Sequence, residues 1–428
     1  MNEVVIVDGL RTPYIKAGTY FNEISAQELG RLCLAELLAR TGMDTELIDE
    51  VVIGNIAGPP DAANISRVIA LMAGIPQKVP ALTVGRNCAS GMESIANCYL
   101  KIKAGEAEVM IAGGVESMSN IPLLHQKSFT NIMADAMKAK STGAKIAAFS
   151  KLRPADLKPI IGLQLGLTDP ICDLNMGETA EVLAKEFLIS RHEQDSFALL
   201  SHQRAEQATV LGKFRDELVP VFPPPAHNKP VDEDNGIRKG QTMAALSKLR
   251  PFFDRAWGTV TAGNSSQITD GAAMLLMMSA KKAKQLGYQP LGYVRSYASA
   301  GLDPARMGLG PAAATPLALK KAGVDFDAVQ LIEINEAFAA QIIANEHVFR
   351  DKKLAQEKLG LPRETGEINR EILNVNGGAI SLGHPVGSSG SRIVLTLLKE
   401  MKRRDLNVGL ASLCVGGGQG AALIVERK

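Results

Sequence analysis

Two cysteines in unlike glycine-bearing frames hold the chemistry this sequence offers: Cys88 within RNCASGM (86–92) and Cys414 at the head of CVGGGQG (414–420). Between them, GHPVGSSG (383–390) supplies His384. A thiol nucleophile, a second thiol able to carry a proton and an imidazole to activate one of them suffice for carbon–carbon bond chemistry on a thioester. ALTVGRN (81–87) reads as a buried strand, and ASGMESIANCYLKIKAG (89–105) as a helix with small residues in its first turn and a glycine stop. Cys88 thus falls at a strand-to-helix junction, where unpaired N–H groups and the helix dipole should favour a thiolate over its free pKa of about 8.5. A free cysteine is more commonly a small buried hydrophobe, and it is the glycine-rich turn and the partners elsewhere that point to catalysis.

His384 lies in a loop of glycines and a proline after ILNVN (372–376), which reads as a strand. GSSGS (387–391) aligns through an internal repeat with CASGM (88–92), so the two turns should lie at the same end of two sheets and face one site. His125, His192, His202, His227 and His347 read as surface or hydrogen-bonded side chains. No pair of histidines or cysteines has metal-ligand spacing, and no Walker or dinucleotide-binding glycine pattern stands in the right context. The expected chemistry uses neither metal nor nicotinamide.

The elements that must position these residues come as a repeat. LARTGMDTELIDEVVIGN (38–55) and ALKKAGVDFDAVQLIEIN (318–335) both read as helix end, turn and buried strand, with Gly42 matching Gly323. Gly91 stands 18 residues before Val109, and Gly390 stands 18 residues before Val408. DGAAMLLMMS (270–279) likewise resembles QGAALIVE (419–426), each entering a final apolar strand. Since the first half's closing strand arrives only after residue 270, a long stretch must be inserted within that half. The predicted fold is α/β: two similar βαβαβ-type halves packed together, with an inserted loop domain. The expected boundaries are 1–118 completed by 256–279 for the first half, 119–255 for the insertion and 280–428 for the second half. Within the insertion, 185–212 reads as one amphipathic helix, ahead of the proline-rich VPVFPPP (219–225), while 119–172 scatters lysines among short apolar groups.

Composition narrows the class. With 428 residues, 46% of them hydrophobic, the chain can bury a large core. A formal net charge of +2 gives no whole-molecule field favouring nucleic acid or an anionic membrane. No run approaches the ~20 apolar residues that span a bilayer, and the N-terminal EVVIV (3–7) reads as a strand rather than a targeting signal. Five cysteines without framework spacing suit a reducing compartment, so a cytoplasmic enzyme is expected. Cys33 and Cys98 read as helix-face packing and Cys172 as part of a turn.

Seven motifs in order, VDGLRTP (7–13), RNCASGM (86–92), AGGVESMS (112–119), GTVTAGNSS (258–266), NEAFAAQ (335–341), NVNGGAISLGHPVGSSG (374–390) and CVGGGQG (414–420), resemble the thiolase family of acetyl-CoA C-acyltransferases. The resemblance spans essentially the whole chain. It implies CoA-dependent cleavage of a 3-oxoacyl-CoA to acetyl-CoA and a shortened acyl-CoA, or the reverse condensation, by a ping-pong route through an acyl-enzyme. On matching positions it makes Cys88 the nucleophile, His384 its activator and Cys414 the acid/base that protonates the departing enolate. His384, with a water held by Asn335, would stabilise the enolate; the N–H groups of Cys88 and Gly416 would stabilise the tetrahedral adducts. For coenzyme A, the cosubstrate, the resemblance implies contacts from Ser266, Arg238, Ala262, Met176 and Phe338, with no tightly bound cofactor. It further implies a homodimer or homotetramer, with association with hydratase and dehydrogenase subunits of β-oxidation a further expectation.

Some positions depart from parts of the family. Asn175 stands where short-chain members carry a histidine before the methionine matching Met176, and 119–172 is longer than in compact members. Both features resemble thiolase subunits of fatty-acid oxidation complexes, although Asn335 follows the self-standing enzymes. A broad or medium-to-long acyl range is the expectation. A decarboxylating ketoacyl synthase and a non-catalytic lipid-binding relative are the alternatives; a synthase has no need of Cys414, and a non-catalytic protein none of the four reactive positions.

Overall fold

The computed structural model describes residues 2–428. Nine strands run through one large sheet: β1 (Val4–Arg11), β2 (Glu50–Gly54), β3 (Ala81–Val84), β4 (Val109–Glu116), β5 (Thr269–Ser279), β6 (Gly292–Gly301), β7 (Leu331–Ile334), β8 (Val408–Val415) and β9 (Gln419–Glu426). Their spatial order is β7-β8-β9-β6-β1-β5-β4-β2-β3, with the short pair Ile15–Lys16 added against β5. Read outward from the β1–β6 junction, the two halves repeat one order. β1-β5-β4-β2-β3 on one side answers β6-β9-β8-β7 on the other, and a single parallel bridge from Ile332 to Leu373 stands where β3 has its counterpart. The halves meet through a short antiparallel pairing, Val5 with Tyr293 and Ile6 with Gly292.

Alternation along these strands sorts the apolar side chains into three cores. Val5, Val51, Ile53, Ile111 and Leu276 face an outer core of the first half, together with helix α1 (Ala26–Thr41). Ile332, Ile334, Leu410 and Ile424 face the corresponding outer core of the second half, together with helix α6 (Ala339–Arg350). The opposite faces of both halves, including Val4, Val52, Met277, Leu413 and Leu423, share a central core with α2 (Ser90–Ala104) and α7 (Val386–Arg404). Because β5 is covered on both faces, its eleven residues are all buried and its sequence is a nearly unbroken apolar run.

Helices α2 and α7 head the two catalytic motifs and pack on each other at glycines. A β-carbon on Gly91 would stand 2.6 Å from the Ser391 nitrogen, and one on Gly390 would collide with the Met92 backbone. The N-terminal turns of α2 and α7 therefore lie side by side, as the repeat predicted. The matched glycines Gly42 and Gly323 also take the same part: both end helices in the left-handed region, at φ 64° and 67°, after α1 and after α5 (Gly310–Ala322).

Three expectations about single elements are corrected. Residues 81–87 do not form a buried strand: β3 stops at Val84, lies at the sheet edge and leaves Leu82 40% exposed. Residues 185–212 are not one helix, because α3 (Met176–Glu186) ends at a turn where Leu188 takes φ 53° before α4 (Arg191–Val210) starts from its Ser190 cap. Residues 372–376 are not a strand; Asn374 takes φ 45° and its side chain bonds the backbone of Ile334 in place of a ladder.

Residues Ile121–Thr168 form a separate compact unit, with the remaining described chain forming the other. The smaller unit contains a two-stranded ribbon, Leu123–Leu124 with Ile160–Ile161, and helices Lys127–Lys138, Thr142–Phe149 and Gly162–Gly166. Among the described residues, no helix is long and apolar enough to cross a membrane.

Candidate active site

Cys88 sits in a single 3₁₀ turn, Asn87–Ala89, that leads from β3 into α2. The turn is held by Ser90, whose hydroxyl accepts from the Arg86 N–H at 2.9 Å and donates to the Asn87 carbonyl at 2.7 Å. Asn87 adopts φ 41°, a left-handed conformation that asparagine tolerates better than most residues. The backbone N–H groups of Gly416 and of Cys88 itself lie near enough to the Cys88 thiol to act on its pKa. Burial pushes its pKa up, those two donors pull it down, and the nearby Glu116 carboxylate adds to the rise. Desolvation outweighs the donors, so the net shift runs opposite to the one the helix dipole alone would give.

His384 is buried in the loop between the short helix Ala379–Leu382 and α7, with its N–H bonded to the Gln267 carbonyl at 3.1 Å. Its Nδ1 lies 2.6 Å from Ser389 Oγ, and that hydroxyl donates to the Pro385 carbonyl at 3.2 Å. With the Ser389 proton assigned to the Pro385 carbonyl, Nδ1 carries the imidazole hydrogen and Nε2 keeps its lone pair. Asn335 Nδ2 lies 3.4 Å from Nε2, on the side where a donor suits that tautomer. Burial, with the Arg392 guanidinium behind it, pushes the pKa of His384 down to about 4. The imidazole is neutral and basic at Nε2. Asn335 Oδ1 is buried with no hydrogen-bond partner among the described residues.

Cys414 is the penultimate residue of β8, fully buried in an apolar cluster with Ala180, Val260, Met307, Ala337 and Phe338. Burial raises its pKa strongly, and the proximity of Cys88 raises it further. It is a protonated thiol beside another thiol, suited to giving up a proton only where an anion develops. Asn335 is fixed to the same strand, its N–H bonding the Ser412 carbonyl at 3.0 Å.

The supporting carboxylates lie under the loops. Glu116, at the end of β4, accepts from the Gly387 N–H at 2.9 Å in the first turn of α7, from Ala57 at 3.0 Å and from Asn55 Nδ2 at 2.7 Å. Burial raises its pKa to about 7 against these donors. Glu336, next to Asn335, accepts from Ser201 at 2.7 Å and Asn374 at 2.8 Å, bracing the segment that leads to His384. Sequence reasoning assigned no role to Ser389, Glu116, Glu336 or Asn87. Each lies inside or beside a quoted motif, but the sequence held no sign of which partner it would meet.

The residues expected to meet coenzyme A divide into two groups. Met176 starts α3 with its sulfur 3.2 Å from where a β-carbon on Gly416 would be, and Phe338 meets the Phe253 ring edge-on at 6.1 Å. Ser266 is tied to the Asn335 segment, its N–H bonding the Ala337 carbonyl at 2.9 Å. Met176 and Phe338 pack in the apolar cluster around Cys414, and Ser266 joins it through Ala337. Ala262 is exposed on the loop before Ser266. Arg238 is half-buried, its N–H directed to His202 Nδ1 at 3.3 Å, and its stretch reaches the site through Gln267, which bonds the Gly236 carbonyl at 2.9 Å.

A thiol under paired backbone donors, a neutral imidazole and a second buried thiol, on a duplicated sheet built around two helices, define an enzyme of the acyl-transferring, carbon–carbon bond class. Two family models match in succession: "Thiolase, N-terminal domain" over residues 4–281 and "Thiolase, C-terminal domain" over 288–427. The chain belongs to the thiolase family. It is 44% identical to the 3-ketoacyl-CoA thiolase of Yersinia pestis (strain Pestoides F) over 426 residues, 99% of this chain and 97% of that one. Among solved structures, the Bacillus anthracis acetyl-CoA acetyltransferase is 38% identical with a TM-score of 0.87, covering 100% of this chain and 99% of its own. Human mitochondrial 3-ketoacyl-CoA thiolase is 35% identical with a TM-score of 0.86, over 100% and 99%. A structure of that human enzyme in complex with CoA covers 100% of this chain and 98% of its own, with 35% identity and a TM-score of 0.85.

Proposed function

We propose that this thiolase is an acyltransferase that cleaves 3-oxoacyl-CoA with coenzyme A as cosubstrate, or runs the reverse condensation. The carrying observation is Cys88 in the turn that opens α2, with Cys414 buried at the end of β8 close enough to feel it, and buried His384 set against Asn335. In the cleavage direction His384 takes the Cys88 proton, and the sulfur adds to the 3-keto carbon. The carbonyl oxygen gains the electron pair and is held by the N–H groups of Cys88 and Gly416. Collapse of the adduct breaks the C2–C3 bond. The electron pair passes to the acetyl-CoA enolate, stabilised by His384 and a water on Asn335, and Cys414 supplies the proton to C2. Coenzyme A, deprotonated at sulfur by Cys414, then takes the acyl group from Cys88, and the released Cys88 thiolate recovers its proton from His384.

The finer assignments belong to the same reading. Met176, Phe338, Ser266 and Ala262 are assigned to the pantetheine arm and Arg238 to the adenine end. Residues 1–118 with 256–279, and 280–428, are the two halves; 119–255 is the insertion, with Met176 and Arg238 as its contributions to the acyl-CoA site. The longer 119–172 stretch supports a broad or medium-to-long acyl range. Turnover of acetoacetyl-CoA against 3-oxohexadecanoyl-CoA tests it, and exclusive use of the four-carbon substrate would overturn it. The unpaired outer edge of β3, with Leu82 exposed, supports a homodimer or homotetramer. A cytoplasmic location and association with hydratase and dehydrogenase subunits complete the proposal.

Intact-mass detection of an acyl adduct on Cys88 after mixing with a 3-oxoacyl-CoA tests the whole scheme. Cys88→Ser should abolish the adduct. Cys414→Ala should still accept acyl groups from simple thioesters but lose at least about 10²-fold in carbon–carbon cleavage. Equal loss of both activities would contradict the division of labour.

A further inference from the structure

Three glycines in succession, Gly416–Gly418, form the turn that presents the Gly416 N–H to Cys88, and glycines do little to hold themselves in one conformation. Gly417 and Gly418 both take left-handed φ, 87° and 73°. The turn is fixed from outside. Its far end is held by Arg86, whose guanidinium donates to Gln419 Oε1 at 2.8 Å, and by Leu302, whose N–H bonds the Gly418 carbonyl at 2.8 Å. Gly416 itself is gripped by one side chain, Asn87, whose Nδ2 donates to the Gly416 carbonyl at 2.7 Å.

Asn87 immediately precedes the nucleophile and takes φ 41°. One residue therefore sets both partners of the site: its backbone turns the chain into Cys88, and its amide holds the glycine from the other half of the molecule. We propose that Asn87 is a positioning residue for the oxyanion donors, fixing the Gly416 N–H relative to the Cys88 N–H across the junction between the two halves. It acts on the carbonyl oxygen that becomes negative during acylation, and on the sulfur only through the Gly416 N–H that also lowers the thiol's pKa. The inference rests on reading Cys88 as the acyl acceptor.

Two variants and two reactions separate the roles. Asn87→Gly keeps the left-handed backbone and removes the clamp, whereas Asn87→Ala removes both. Acylation of Cys88 by a 3-oxoacyl-CoA in a single turnover needs the oxyanion donors. Alkylation of Cys88 by iodoacetamide, followed on the Cys88 peptide by mass spectrometry, displaces iodide at a saturated carbon and needs none. Complete loss of an oxyanion donor costs about 10²–10³ in rate, so a displaced one should slow acylation by about 10- to 100-fold in both variants. Alkylation forms no oxyanion and loses only the pull of the Gly416 N–H on the thiol, so it should fall several-fold less than acylation. Acylation by Asn87→Gly at the parent rate would overturn the proposal, as would a parallel fall in alkylation, which would place the defect at the nucleophile. A parent protein that forms no acyl adduct would instead refute the thiolase reading of Cys88.

Discussion

At the residue scale, three groups that exchange protons are all held neutral by burial: two thiols pushed up and one imidazole pushed down. A neutral trio avoids burying charge until substrate brings an oxygen that can share it. Ser389 decides which imidazole nitrogen is the base. Ser389→Ala should lower kcat by about 10- to 100-fold with little change in KM, since base catalysis is worth 10²–10⁴ and only part depends on the tautomer. Steady-state rates would show it, and an unchanged kcat would mean that Nε2 is oriented without Ser389. The depressed His384 pKa also sets a pH dependence. The imidazole binds its proton only as pH falls toward about 4, so single-turnover acylation should hold its rate well below the ordinary histidine value of 6.5 and fail only as pH approaches 4. A rate already halved at about pH 6.5 would show that the bound state raises the histidine back to its ordinary value.

Elements enter where two helices must approach closely enough for their first turns to share one site. Gly390 on α7 lies against the Met92 backbone of α2, which has no rotamer by which to retreat. Gly390→Ala should therefore destabilise the protein by about 1–3 kcal/mol through overpacking, read as a lower urea midpoint with unchanged slope. A midpoint within error of the parent would mean that the helix pair slides apart at no cost. The repeat of Gly42 and Gly323, and the spacing of Gly91 and Gly390 from their strands, were legible because a left-handed cap or a close crossing leaves a glycine in the sequence. The break at Leu188 was not, because a leucine at φ 53° leaves no such mark. The edge position of β3 was equally hidden, since an apolar run reads the same whether or not a further strand covers it.

At the scale of the whole molecule, buried charge joins segments far apart in sequence. Arg11 on β1 meets Glu217 at 2.6 Å and Asp234 at 2.7 Å, and Thr396 of α7 donates to Glu217 at 3.2 Å. Burial works against the Arg11 charge, but Asp234 and Glu217 outweigh it and hold the guanidinium above its usual range. Arg11→Met would leave two carboxylates buried without their cation, a loss of about 3–5 kcal/mol by denaturant unfolding, while a loss under about 1 kcal/mol would mean that water reaches the pair. By itself the sequence determined the duplicated α/β plan and the strand that closes the first half after a long detour, which follow from local spacing, apolar periodicity and glycines that mark their own constraints. It pointed to Cys88, His384 and Cys414 by their glycine-rich frames, and to Asn335 only through the family's motif. Only the tertiary structure decided how those residues are tuned. Protonation depends on burial and on charges such as Glu116 and Arg392, the base nitrogen depends on Ser389, and the glycine donor depends on Asn87 reaching across 329 positions of chain. A sequence records the side chain that donates or accepts, but the field and the partner it meets come into existence when the two halves close on each other.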